Sequence, residues 1–249
     1  MMYAVRDTWN LMLAPARMTA DATKFACENP FSPLTYHYSS RAIAASCELF
    51  ERATRTYPKP AFDLPAAEHV VWESPFCRVI AFGEPSTKPK VLLVTPMSGH
   101  YATLLRGTVA ALLDTHRVFI TDWLDAKQVP VSAGRFGLDE YVDTCMAILE
   151  ALGPNLHVKA VCQPAVPVLA AIARMEAENY PRVPCSATIL GGPIDTRRSP
   201  TAVNRLAVER GIEWFRQHCI HTVPWGHPGS GRAVYPGFLQ LAGFMGMNP

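Results

Sequence analysis

The stretch Leu156-His-Val-Lys-Ala-Val-Cys162-Gln-Pro-Ala-Val-Pro-Val-Leu-Ala-Ala-Ile-Ala173 decides how this chain is read. Its first residues form an apolar-rich run of strand length. From Pro164 onward the run reads as a helix, so Cys162 stands at the corner between the two. A tight strand-to-helix corner exposes the side chain it carries, and a cysteine there is a candidate nucleophile. The following helix turns unpaired backbone N–H groups toward the corner, and these attract negative charge. Pro164 suits the first helical turn, where its missing N–H costs nothing. For the same reason it cannot donate to an oxyanion, which leaves the N–H of Gln163 as the natural donor. The competing reading of Cys162 is a buried structural cysteine after a core strand, since free cysteine is among the most buried residue types.

Outward from this corner, strands and helices alternate. Lys90-Val-Leu-Leu-Val-Thr95 is an apolar run of the fully buried, parallel-sheet type. Arg78-Val-Ile-Ala-Phe82, Arg117-Val-Phe-Ile-Thr121 and Ser186-Ala-Thr-Ile-Leu190 read as further strands. Residues 103–114 place Leu104, Leu105, Thr108, Val109 and Leu112 on one helical face. Residues 138–152 form the cleanest helix, with Leu138, Tyr141, Val142, Cys145, Ile148, Leu149 and Leu152 in one stripe and Gly153-Pro154 as its stop. The pattern predicts an α/β fold with a mostly parallel sheet and helices on both faces. Sites in such sheets form at the carboxyl ends of the strands. Cys162, Met97-Ser98-Gly99-His100, Asp122-Trp123 and Gly191-Gly192 all fall on that edge.

Three segments are expected. Residues 1–69 form an N-terminal helical extension. It is mixed up to residue 37, and then a helix over 41–55 is capped by Ser39 or Ser40. Residues 70–199 form the core. Residues 200–249 change character, with a helix over 201–216 and then a glycine- and proline-rich run, and read as the start of a cap or lid.

Composition narrows the function classes. The formal net charge of +2 comes without any basic run, so nothing points to nucleic acid or to a polybasic membrane patch. No apolar run reaches the length of a membrane span or of a signal-peptide core. The seven cysteines include no Cys-x-x-Cys pair and do not cluster, which is reduced, intracellular usage. A cytoplasmic protein is expected, with no cofactor and no metal. His218-Cys219-x-His221 has no second ligand pair at a zinc-site spacing.

The loop Thr95-Pro-Met-Ser-Gly-His-Tyr101 is either an ordinary turn or the source of a second oxyanion N–H, from Met97 or Ser98. Asp122 and Asp195 are read as turn caps ahead of catalytic acids. Trp214-Phe215, Trp225, Tyr235, Phe238 and Phe244 make a late aromatic zone, either a packed subdomain or an apolar surface for a hydrophobic ligand.

Several stretches taken together resemble the intracellular poly(3-hydroxybutyrate) depolymerases, α/β-hydrolases related to the polyhydroxyalkanoate synthases. They are Asn29-Pro-Phe-Ser-Pro-Leu, Val94-Thr-Pro-Met-Ser-Gly-His-Tyr-Ala-Thr-Leu-Leu-Arg, Ile120-Thr-Asp-Trp, Val161-Cys-Gln-Pro-Ala-Val-Pro-Val-Leu-Ala-Ala and Gly191-Gly-Pro-Ile-Asp. The resemblance implies an α/β-hydrolase fold and a Cys-Asp-His triad whose nucleophile is Cys162. It also implies cleavage of stored polyester to 3-hydroxybutyrate or short oligomers at a granule surface. The usual elbow Gly-x-Ser-x-Gly is here Ala160-Val161-Cys162-Gln163-Pro164. Synthases resemble Gly-x-Cys-x-Gly at this place, so Ala160 and Pro164 favour hydrolysis over a synthase-like acyl transfer. Family members continue well past the point matching Pro249. The expectation is therefore of an N-terminal fragment, with the last strands and the triad Asp and His outside this chain. A non-catalytic granule-binding protein is the alternative from a different class. Side-chain length preference and oligomeric state are not legible.

Overall fold

The computed structural model describes residues 2–55, 58–97 and 101–246. The chain divides into two compact units, Met1–Lys59 and Pro60–Pro249. The division thus falls ten residues before the end of the expected 1–69 extension, because residues from Pro60 onward already join the core.

The first unit is a helical hairpin of α1 (Met2–Glu28) and α2 (Ser40–Thr54). The reading of 1–37 as mixed is corrected here, since α1 is helical over 27 residues with Pro15 inside it. Proline at that position cannot donate to the carbonyl four residues earlier, which weakens the local signal. The side chains supply what propensity does not. The Arg17 guanidinium donates to the Thr54 carbonyl at 2.7 Å, at the open C-terminal end of α2, and Lys24 pairs with Glu48 at 3.4 Å. The capping expectation also changes. Ser39 precedes the helix but makes no cap bond, because its hydroxyl pairs with His37 Nδ1 at 2.8 Å. Ser40 is the first residue of α2, and its hydroxyl donates to the Leu34 carbonyl.

The second unit carries a six-stranded sheet. Its strands are β1 (Glu68–Glu73), β2 (Cys77–Phe82), β3 (Lys90–Val94), β4 (Arg117–Trp123), β5 (Leu156–Val161) and β6 (Ser186–Leu190). Their order is β1-β2-β4-β3-β5-β6. β2 is antiparallel to both β1 and β4, whereas β4, β3, β5 and β6 run parallel. The helices between them are α3 (Arg106–Leu113), α4 (Leu138–Leu152) and α5 (Ala165–Ala177).

Strand periodicity sorts the core into two layers. Leu92 and Val94 of β3 face one way, with Val158 and Ala160 of β5, against Cys145, Ile148 and Leu149 of α4 and Val168, Ala171 and Met175 of α5. Val91 and Leu93 face the other way, with Val118 and Ile120 of β4, against Val109 of α3, Leu105 just before it and Phe62 from the segment ahead of β1. Both faces of β3 and β4 are therefore covered, as their continuous apolar character requires. Each fully buried Leu or Ile contributes about 1.5–3 kcal/mol.

The remaining segment is more ordered than a bare cap. α6 (Ala202–His218) kinks at Gly211, where φ is +69°. A short hairpin of β7 (His221–Thr222) and β8 (Ala233–Val234) follows, and then α7 (Gly237–Gly246). Buried Arg232 fixes the hairpin to the loop after β4. Its guanidinium donates to the carbonyls of Val129 at 3.0 Å, Gly134 at 2.7 Å and Pro130, and lies 5.0 Å from the centre of the Phe76 ring. Gly229 approaches the same loop so closely that a Cβ would stand 2.7–2.9 Å from three carbonyl oxygens. No helix among the described residues is long and apolar enough to cross a membrane.

Candidate active site

β5 delivers the corner. Ala160 is fully buried under the helices, and the chain then turns at Cys162 with φ +67°. A non-glycine residue in this left-handed region costs on the order of 1–3 kcal/mol and persists only where its surroundings over-determine it. Here they do. The Cys162 N–H donates to the Leu190 carbonyl at the end of β6, at 2.7 Å, and the Cys162 carbonyl accepts the Ala165 N–H at 3.1 Å as α5 begins. Gly192 presses on the same turn, since a Cβ there would lie 2.0 Å from the Ala165 Cβ and 3.1 Å from the Cys162 carbonyl oxygen. The elbow's own glycine positions hold Ala160 and Pro164, and the close approach is made instead by Gly192, two residues past the end of the neighbouring strand.

Cys162 is exposed, whereas Cys27, Cys77 and Cys145 are buried. The alternative reading of Cys162 as a buried structural cysteine is thereby corrected. That description fits Cys77 and Cys145, which pack in one core layer. Burial pushes the Cys145 thiol up to about 12 and raises that of Cys77 well above its ordinary range.

The exit of β3 comes next to the corner. Buried Thr95 locks it to β4: its N–H donates to the Thr121 hydroxyl at 2.9 Å, and its own hydroxyl donates to the Thr121 carbonyl at 2.9 Å. The Trp123 indole N–H holds the Thr95 carbonyl at 2.9 Å. Two residues on, the Met97 N–H donates to the side-chain oxygen of Gln163 at 3.0 Å. Met97, Gln163 and Cys162 are thus brought together at the carboxyl edge of the sheet. Among the described residues none accepts the Gln163 N–H. Ser98, the other candidate donor, lies outside the described residues, as do Gly99 and His100.

The other candidates scatter. Asp122 is buried at the end of β4, with Arg78 of β2 opposite in register. Asp195 is a turn cap. It accepts the Arg197 N–H at 3.1 Å and the Arg197 guanidinium at 2.8 and 3.1 Å, and the guanidinium holds its carboxyl below the usual range. His218 donates through Nδ1 to the Trp214 carbonyl at 2.8 Å and stacks on the Trp214 ring. His221 Nε2 is buried with no hydrogen-bond partner among the described residues. Among the described residues no three His, Cys, Asp or Glu side chains gather as a metal site would need. The late aromatics divide: Trp214 and Phe215 pack edge to face, whereas Trp225 is 93% exposed.

The strand order, the antiparallel β2 and the left-handed corner between β5 and α5 define an α/β-hydrolase fold. Residues 191–249 match the family model described as PHB de-polymerase C-terminus, a match that begins at the glycine pair beside the corner. Over that segment the chain is similar to PHB depolymerases.

Among solved structures, the chain is similar to carboxylesterase CesB from Bacillus subtilis, with 14% identity and a TM-score of 0.43. That alignment covers 72% of this chain and 60% of that one. It is also similar to naproxen esterase (carboxylesterase NP) from Bacillus subtilis, with 15% identity and a TM-score of 0.39 over 52% of this chain and 44% of that one. At such values the fold class rests on the strand order and the corner geometry. The chain spans 44% and 60% of the lengths of these two structures. A comparison with curated proteins finds no match.

Proposed function

We propose that the chain performs ester hydrolysis on poly(3-hydroxybutyrate) through Cys162. The observation that carries this reading is the exposed thiol held at positive φ on the strand-to-helix corner, beside a segment that matches a PHB depolymerase model. The Cys162 thiolate attacks the ester carbonyl, and the carbonyl electron pair moves to oxygen. The N–H groups of Gln163 and Met97 stabilise that oxyanion, the kind of fixed dipole worth about 3–4 kcal/mol per donor in related chemistry. Collapse expels the alcohol end of the polymer, which recovers from water the proton the thiol had released to it, and leaves a 3-hydroxyacyl thioester on Cys162. Water then releases 3-hydroxybutyrate or a short oligomer and returns the thiol. The protein acts in the cytoplasm at the surface of polymer granules, a reading supported by thiols that are all unpaired.

Incubation of amorphous granules with the parent and with Cys162→Ala tests this. Soluble 3-hydroxybutyrate is expected from the parent, with a loss of at least about 1,000-fold in the variant and an unchanged melting profile. Cys162→Ser is expected to be poor as well, since an alcohol depends more on a general base than a thiol does. Hydrolysis at the parent rate without the thiol would remove Cys162 from the mechanism. Chain growth from a hydroxyacyl-CoA, or binding without turnover, would place the protein in a different class.

A further inference from the structure

Gln163 offers two opposite groups to one small space. Its backbone N–H follows the proposed nucleophile, whereas its side-chain carbonyl accepts the Met97 N–H at 3.0 Å. An amide carbonyl oxygen and an ester carbonyl oxygen are acceptors of the same kind. The donor sits on the main chain two residues past Thr95, which Thr121 and Trp123 tie to β4 through hydrogen bonds. The acceptor sits on a flexible side chain of a half-buried residue. We infer that the Gln163 side chain is a gate on the oxyanion site: it occupies the Met97 N–H in the empty protein and must swing away before an ester carbonyl can bind there.

The inference rests on the reading of Cys162 and Met97 given above. It adds that substrate competes with an internal neutral acceptor. A neutral hydrogen bond is weak enough in net terms to be displaced, which makes Gln a gate that opens. A carboxylate in its place would make a charge-assisted bond about twice as strong and hold the site shut. The gate also keeps a part-buried N–H paired while no substrate is present.

A short-chain alkyl trifluoromethyl ketone tests this without any need for a leaving group. The Cys162 sulfur bonds to the ketone carbon, the carbonyl electron pair moves to oxygen, and the resulting hemithioketal oxyanion occupies the hole. Dissociation constants come from fluorine NMR, and hydrogen exchange of the Met97 amide from nitrogen–proton NMR. In Gln163→Ala the Met97 amide is expected to exchange faster, and the ketone to bind about 2- to 10-fold tighter. In Gln163→Glu the ketone is expected to bind at least about tenfold more weakly at neutral pH, with affinity recovering as pH falls through the carboxylate range. Unchanged or weaker binding by Gln163→Ala, or an unchanged Met97 exchange rate, overturns the gate. An adduct that persists in Cys162→Ala overturns the underlying reading of the nucleophile instead, so the two failures are distinguishable.

Discussion

A residue held at φ +67° carries strain that glycine would not feel. Cys162→Gly should therefore be more stable than Cys162→Ala, by about 1 kcal/mol, while both lack the thiol. Paired denaturant melts read this difference, and equal midpoints would mean that the corner is unstrained. The position was legible in the sequence because an apolar strand, a small exposed side chain and a proline-started helix follow one another without interruption. The local reading did not extend to what fixes the corner. Gly192 acts from just beyond the next strand, and the side chain of Gln163 reaches Met97 across 66 residues. Neither contact leaves a mark on a local pattern. The Trp123 indole bond to Thr95 was hidden for the same reason, although a Trp at a strand end signals a donor in search of a carbonyl.

At the scale of elements, legibility followed the regularity of the residue pattern. The expected boundaries of α4 and β6 coincide with the structure. α4 owes this to a full apolar stripe ended by Gly153 at φ +74°, and β6 to a run of apolar and β-branched residues ended by Gly191 at φ +62°. β1 was missed because Glu68-His-Val-Val-Trp-Glu73 is an exposed edge strand, broken by a register shift between Val70 and Trp72. Such a bulged, charged strand lacks the alternation that a half-buried strand shows.

The layer under α4 makes an alkaline prediction. Folded Cys145 keeps its proton up to about pH 12, whereas in the unfolded chain it loses the proton near roughly 8.5. The folded state binds more protons in that window. Its contribution to stability is therefore complete below the lower value and declines as pH rises toward the upper, by up to about 1.4 kcal/mol per pH unit. Cys145→Ala is expected to start from a lower midpoint at neutral pH, because a buried sulfur is lost. Its melting temperature should then fall less steeply than the parent's between about pH 9 and 11. Parallel declines would show that another group carries the alkaline loss.

For the molecule as a whole, the two edges of the large sheet differ. At one end β1 carries glutamates and a bulge, features that discourage pairing with a further strand. At the other end β6 pairs, among the described residues, with β5 alone, and Ser186, Ala187 and Leu190 are exposed, as is Ile194 just beyond. This edge has charge on neither its strand nor its flanking glycines. The protein is expected to self-associate through it and to bind a hydrophobic dye in proportion. Ala187→Lys should reduce both at equal concentration, measured by light scattering and dye fluorescence. Association that is indifferent to a lysine in β6 would place the sticky surface elsewhere.

The distribution of thiols has a consequence for how the chain can be watched as it moves. Cys162 and Cys185 lie open to reagents, Cys77 and Cys145 are enclosed in one layer of the larger unit, and Cys27 is enclosed in the helical hairpin. A small alkylating reagent therefore meets three clocks in one molecule. The open pair ticks at the chemical rate. The inner pair ticks only when β2 and α4 part. Cys27 keeps time for the hairpin. Identical rates for the inner pair and Cys27 would mean that the two units open in a single event, and different rates would give each unit its own lifetime.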